Sequence, residues 1–209
     1  PIGIGKLVDA HANTIIISPP WFFNPYSPFL QPMVRITPFA HELTSLIDST
    51  HTNGFSCGIF PQISTPLKQG VLWPSTSHSE AWWEMWFNSY RQYILSYAKL
   101  SEITEAEQLY LGGSALLPTF SGGIYPNGGT TDIPNTSEQW WSALITDIRE
   151  EYTGELIWVT SAHQTMDPLP DFIDEFDEIY ISIDSPLAPA DAASFDAIGS
   201  GFTNVIDSL

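Results

Sequence analysis

Apolar residues along this chain alternate between two periods. Short β-branched or aromatic runs, bounded by Pro, Gly or Asn, predict strands near residues 14, 57, 109, 157 and 180. Between them stand stretches in which apolar side chains return every three or four positions, the spacing of a one-sided helix. Lys6 to Ala12 predicts the end of a helix, and Asn13-Thr-Ile-Ile-Ile-Ser18 a strand that Pro19-Pro20 stops. Trp21 to Tyr26 follows as an aromatic loop. Thr37-Pro38 supplies an N-cap and a first-turn proline for a helix with Phe39, Leu43, Leu46 and Ile47 on one face and Gly54 as its C-terminal cap. The next strand spans Phe55 to Ile63. Ser77-x-x-Glu80 has the form of a capping box. It precedes the strongest helical stripe, Trp83, Trp86, Phe87, Tyr90, Ile94 and Tyr97, whose spacing favours core packing over a ligand platform.

The central strand lies in Glu107-Gln-Leu-Tyr-Leu-Gly-Gly-Ser-Ala-Leu-Leu117, an apolar run that breaks off in Gly-Gly-Ser-Ala. A loop of about 19 residues, 118–136, follows, long enough to suggest a functional segment. Ser137 caps a helix carrying Trp140, Trp141, Leu144, Ile145 and Ile148, closed by Gly154. Leu156 to Thr160 and Glu178 to Ile183 predict two more strands, separated by a short helix over Pro170 to Phe176. The tail from Ala192 keeps helical spacing at Phe195, Ile198, Val205 and Ile206, weakened by Gly199 and Gly201. Strand and helix therefore alternate, which implies an α/β fold with a parallel sheet and right-handed crossovers. Long segments follow the strands and short ones enter them, as in a (β/α) TIM-type barrel with its site on the carboxyl face. An open doubly wound sheet would often carry a glycine-rich phosphate loop after its first strand, whereas Ser18-Pro-Pro-Trp-Phe-Phe23 carries prolines and bulky rings. Five to six β/α units fit into 209 residues, fewer than a full barrel needs, and they read as one domain over 1–209.

Charge narrows the partners. With 24 acidic and 6 basic residues the net charge is -18, which repels nucleic acid and anionic lipid. Only 14% of residues are charged against about 25% in an ordinary domain, so Ser, Thr, Asn, Gln and Gly must supply the polar surface. That composition suits an extracellular or cell-surface protein handling neutral ligands. No apolar stretch reaches the roughly 18 residues of a membrane span. The chain starts at Pro1 without an initiator Met, which suggests part of a longer polypeptide. Cys57, the single cysteine, sits in an apolar run and reads as a small buried hydrophobe rather than a reactive thiol. The five His residues lack metal-ligand spacing and no G-x-S-x-G elbow occurs, so neither a metal nor another cofactor is expected.

Four segments carry a family resemblance in order: Ala12-Asn-Thr-Ile-Ile-Ile17, His51-Thr-Asn-Gly-Phe-Ser-Cys-Gly-Ile-Phe-Pro61, Trp86 to Ala98 and Leu111-Gly-Gly-Ser-Ala115. Trp140-Trp141, Ile148 to Trp158 and Asp177 to Leu187 continue it. The series resembles the TIM-barrel glycoside hydrolases of the family 113 β-mannanase type. The resemblance implies that the chain runs from the second to the sixth strand of an eight-stranded barrel. It also implies a neutral oligo- or polysaccharide as ligand. Retaining glycosidases use two carboxyl groups about 5 to 5.5 Å apart, one acid and one nucleophile. In the family the acid is a Glu after the fourth strand, in a Gly-Thr-Glu-like sequence, and the nucleophile a Glu after the seventh. Here the fourth-strand position reads Gly113-Ser114-Ala115, and no seventh strand is visible.

Other groups could serve. Asp184, just past the sixth strand, is the candidate substitute acid; Asp132 and Asp167 on mouth loops read as solvated turn residues. Trp21, Phe22, Tyr26 and Trp73 could stack sugar rings, or could instead be interface residues covering an open edge, and Gln62, Ser114, His163 and Gln164 could bond hydroxyls. The expectation is a carbohydrate-recognising, glycoside-hydrolase-like domain without its catalytic acid. A structural module that assembles with other domains or copies is the alternative, and an active retaining mannanase using unexpected or missing carboxylates is a third.

Overall fold

The computed structural model describes residues 6–7, 11–24, 26–65, 73, 77–161, 170–183, 186–188 and 194–207. Five strands, β1 (Thr14–Ile17), β4 (Ser56–Ile59), β6 (Gln108–Gly112), β7 (Glu155–Ser161) and β8 (Glu178–Ser182), form one sheet in the order β1-β4-β6-β7-β8. Every neighbouring pair is parallel. Spatial order follows chain order with no reversal, so the sheet has no topological switch point, which a doubly wound sheet requires. Successive right-handed crossovers then place all connecting helices on one face and curl the sheet into part of a barrel.

Side-chain parity shows the same thing. Alternate residues Cys57, Ile59, Leu109, Leu111, Leu156 and Trp158 join one buried cluster with the helices α1 (Ala40–Thr52), α2 (Glu80–Ile103) and α3 (Ser137–Glu151). The intervening residues Tyr110, Ile157 and Val159 form a separate small cluster with Phe60 on the opposite, concave face. The helix layer is mostly aromatic. Trp83, Trp86, Tyr90, Tyr93, Ile94 and Tyr97 of α2 are all buried, as their helical spacing requires. Cys57 is buried as well, and burial, reinforced by nearby Glu107, pushes its thiol up to about 11, so it stays protonated and inert.

Pro19 and Pro61 lack N–H donors and break β1 and β4 at matching points, yet the pairing resumes beyond them. β2 (Pro20–Phe23) and β5 (Gln62–Ser64) continue side by side, with β3 (Leu30–Gln31) antiparallel to β2, giving a three-stranded rim in the order β3-β2-β5. The expected aromatic loop Trp21–Phe23 is therefore a strand, because backbone bonding restarts once the prolines are passed. The single strand expected over Phe55 to Ile63 is two for the same reason.

Several helix starts also differ. Helix α1 begins at Ala40 with Phe39 at the cap, where Glu42 accepts the Phe39 backbone N–H at 2.7 Å, so Thr37 does not cap it. Thr37 instead accepts from the Met33 N–H and donates to the Pro20 carbonyl at 2.7 Å, tying the preceding turn to the rim. Ser79, not Ser77, caps α2. Thr136 precedes α3 as its cap position, leaving Ser137 buried at the first helical position. The Pro170–Phe176 segment is a 3-10 turn over Asp171–Glu175. The final helix, α4 (Phe195–Ile206), is formed as its spacing predicts, but none of its residues is buried.

At the amino ends of the strands, carboxylates fix the sheet. Glu107 accepts the Cys57 N–H at 2.7 Å and lies 3.2 Å from His51; Asp177 accepts from the Leu156 N–H and Arg149, both at 2.7 Å. Arg149 also donates to the Gly154 carbonyl at 3.1 Å, so one guanidinium joins α3 to the starts of β7 and β8. Arg149→Met, which keeps the stem and removes these donors, is expected to lower stability by about 1–2 kcal/mol in urea unfolding.

Candidate functional site

The carboxyl ends of the five parallel strands lie at one end of the sheet, and β6 is its middle strand. Gly112 and Gly113 both hold positive φ, 111° and 86°, and the Gly113 N–H donates to the Val159 carbonyl at 2.7 Å. A Cβ on Gly112 would sit 2.2 Å from the Val159 oxygen. The glycine pair thus turns the chain sharply against β7. A 3-10 helix over Ser114–Thr119 follows at once, with Ser114 exposed at its start.

Ala115 stands where the resemblance implies an acid. It carries no group able to give or take a proton, and its carbonyl accepts the Trp73 indole N–H at 2.7 Å. Trp73 is 2% exposed and packs among Phe23, Trp82, Trp83 and Trp86, with ring centroids 4.8 to 6.5 Å away. Its ring is a wall of the core with no open face, while its N–H holds the turn after β6.

The remaining expected contacts divide by strand parity. Trp21 and Phe23 point to α2: Trp21 lies 4.8 Å from Tyr93 and bonds Tyr97, which leaves it half-buried on the helix side of the rim. Phe22 points the other way and is 9% exposed. Gln62 pairs with Pro20 across the rim, and its carbonyl accepts the Tyr93 hydroxyl at 2.9 Å, so its half-buried side chain is the freer part. Tyr26 is 76% exposed beyond the rim. The rim therefore puts Phe22 and Gln62 on the face away from α2 and Trp21 on the helix face, while Ser114 stands at the end of β6 and Tyr26 lies beyond the rim. Asp184, Asp167, His163 and Gln164 lie outside the described residues.

Asp132 is exposed, but it is not the unengaged turn residue its loop suggests. Its two oxygens accept from the Ser77 hydroxyl (2.6 Å), the His78 N–H (2.5 Å), the Trp83 indole (3.1 Å) and the Tyr125 hydroxyl (3.1 Å). These four donors clamp the long loop after β6 to the start of α2. His78 stacks on Trp82 with centroids 3.7 Å apart, closing the corner. Ser77 is occupied here, which is why it does not cap the helix. The Ser77-x-x-Glu80 spacing points to Ser77 as the cap and carries no sign of an aspartate 55 residues away.

Burial alone would raise the Asp132 carboxyl, but these hydrogen bonds outweigh it and hold its pKa below the ordinary value. The same balance, burial opposed by hydrogen bonds, lowers Glu107 and Asp177. A carboxylate whose folded pKa is depressed stabilises above its unfolded pKa and loses that contribution as pH falls through the folded one. Stability is thus expected to fall below about pH 4, and Asp132→Asn to flatten that decline when urea midpoints are measured against pH. A fully committed Asp132 is also a poor proton donor. Among the described residues no group of three or more His, Cys, Asp or Glu could hold a metal ion.

No protein-family model and no curated protein sequence matches the chain. Solved structures do. The family 113 β-mannanase AaManA from Alicyclobacillus acidocaldarius, in complex with ManMIm, is similar at TM-score 0.66 and 19% identity, over 88% of this chain and 55% of that one. A family 113 β-1,4-mannanase complex gives TM-score 0.67 and 20% identity over 98% and 61%. A fungal β-1,4-galactanase is more distant, at TM-score 0.54 and 11% identity over 96% of this chain and 60% of that one. The chain thus spans 55 to 61% of the length of these structures. At such identities the likeness is one of fold. In fold the chain resembles a family 113 β-mannanase barrel, of which it forms five consecutive parallel strands.

Proposed function

We propose that this chain is a carbohydrate-recognising domain of glycoside-hydrolase fold that lacks the catalytic acid. The observation that supports the reading is the end of β6, which carries Gly113-Ser114-Ala115 with the Ala115 carbonyl held by the Trp73 indole. Glycosidic cleavage needs a proton delivered to the leaving oxygen, and alanine has none to deliver. The rim offers what binding alone needs. Exposed Tyr26 and the edge of Phe22 can pack against the C–H faces of sugar rings, and Gln62 and Ser114 can exchange hydrogen bonds with hydroxyls. Neutral ligands suit a protein of charge -18. An extracellular setting follows from the same reading.

Calorimetric titration with β-1,4-linked manno-oligosaccharides tests it. Binding is expected without release of reducing ends. Tyr26→Ala is expected to weaken it about 3- to 10-fold through loss of one stacking face, while leaving the melting temperature unchanged because Tyr26 is exposed. Absence of heat with mannan, galactan and chitin oligosaccharides alike would refute the proposal.

A further inference from the structure

The helix layer carries a second set of groups suited to a hydroxylated ligand, away from the carboxyl ends of the strands. α2 and α3 lie side by side over the interior of the sheet, where β4, β6 and β7 each have a neighbouring strand on both sides. Between the two helices runs a groove of about 510 Å³, within the range of about 300 to 1,000 Å³ that small-ligand sites occupy. Helical spacing builds its walls. Glu84, Asn88 and Arg91 follow one another at steps of four and three on α2, and Trp140, Leu144 and Asp147 do the same on α3, so one row from each helix lines the groove.

Two of these groups are held before any ligand arrives. Trp140 is half-buried, and Phe87 packs against it with centroids 5.2 Å apart, which fixes the indole while leaving part of it open. Arg91 donates from its Nε to Asp147, so the carboxylate orients the guanidinium, whose terminal nitrogens take no partner among the described residues. Groups ordered in advance cost less to immobilise on binding. Glu84 and Asn88 are exposed, and among the described residues no hydrogen bond or ion pair engages either side chain. Core packing explains Phe87 and Leu144, which are 5% and 1% exposed. It places no demand on an indole left half open beside unengaged polar groups.

Together these residues offer what a sugar ring needs. An aromatic face packs on its C–H side, while a carboxylate, an amide and a guanidinium exchange hydrogen bonds with its hydroxyls. Arg91 and Asp147 cancel in charge, so Glu84 leaves the groove acidic and unsuited to anions.

We propose that the groove between α2 and α3 is a second carbohydrate site, which takes a short segment of a neutral sugar chain independently of the rim. The class of ligand rests on the reading above, whereas the place of the site does not.

NMR titrations of the 209-residue chain with mannohexaose, a β-1,4-galacto-oligosaccharide and chitohexaose read the two sites separately. Shifts are expected at the Trp140 indole N–H, the Asn88 side-chain amide and the Arg91 Nε–H. The double variant Glu84→Ala/Asn88→Ala alters exposed positions, so circular dichroism should show it folded. It is expected to weaken the groove about 10-fold while leaving the rim shifts at Tyr26 and Ser114 unchanged, and Tyr26→Ala should do the converse. Trp140→Ala should weaken the groove at least as much. A groove silent to all three sugars, or groove shifts that keep their affinity in both groove variants, would overturn the proposal. A responding groove beside a silent rim would refute the reading above and leave this site standing. Groove shifts with tetramethylammonium chloride but with none of the sugars would also overturn it, the indole and Glu84 then serving a cation.

Discussion

Replacing Gly112 with alanine is expected to cost about 4 kcal/mol of stability, read as a fall in melting temperature of roughly 8 to 16 °C. Two effects combine. At φ 111° an L-residue is strained whatever the space around it. The added methyl would also meet the Val159 oxygen at 2.2 Å and the Val159 nitrogen at 2.8 Å, both backbone atoms of a paired strand. A side chain could rotate away; the backbone of β7 must move. Because Gly113 donates to the same Val159 carbonyl, any such shift also displaces Ser114 and Ala115. Loss of ligand binding should accompany the loss of stability. Gly122, which has positive φ but nothing within 4 Å of an added Cβ, provides the contrast: Gly122→Ala should cost only about 1 kcal/mol.

Trp141→Ala is expected to be comparably severe, about 3–5 kcal/mol by urea denaturation. Trp141 is fully buried where five elements meet. Its ring lies 5.3 to 5.9 Å from Phe87 and Tyr90 of α2, Phe120 of the mouth loop, Trp158 of β7 and Phe172 of the 3-10 turn. Its indole N–H donates to the Thr119 carbonyl at 3.1 Å, so the residue also holds the loop that follows β6. Trp141→Phe keeps most of the packing but leaves that buried carbonyl unpaired. It should cost about 1–2 kcal/mol, and comparing the two variants separates packing from hydrogen bonding.

The strands and helices were legible because burial imposes a period. The α2 stripe and the apolar run of β6 each follow from one buried face, and their order specifies the parallel sheet. Positions set by contacts distant in sequence were not legible. Asp132 is an ordinary loop aspartate until α2 is placed beside it; Ser77 resembles a cap until that aspartate claims it. The rim was missed for a related reason. Pro19–Pro20 correctly marks the end of β1, but only the matching break at Pro61 allows two strands to resume pairing past it. Trp73 shows the opposite error. An aromatic in a polar stretch invites a ligand role, and only the positions of Phe23 and α2 reveal that it is enclosed. At the mouth the absence of a carboxylate at Ala115 was plain from the residues, whereas the Trp73 bond to its carbonyl required the fold.

An amide NMR titration with mannohexaose tests the central claim most directly, since it reports where a ligand sits and whether it survives. The account predicts shifts grouped at Phe22, Tyr26, Gln62, Gly113 and Ser114, with the hexasaccharide recovered intact. Shifts absent from these residues at saturating sugar, or shorter products appearing during the titration, would contradict it.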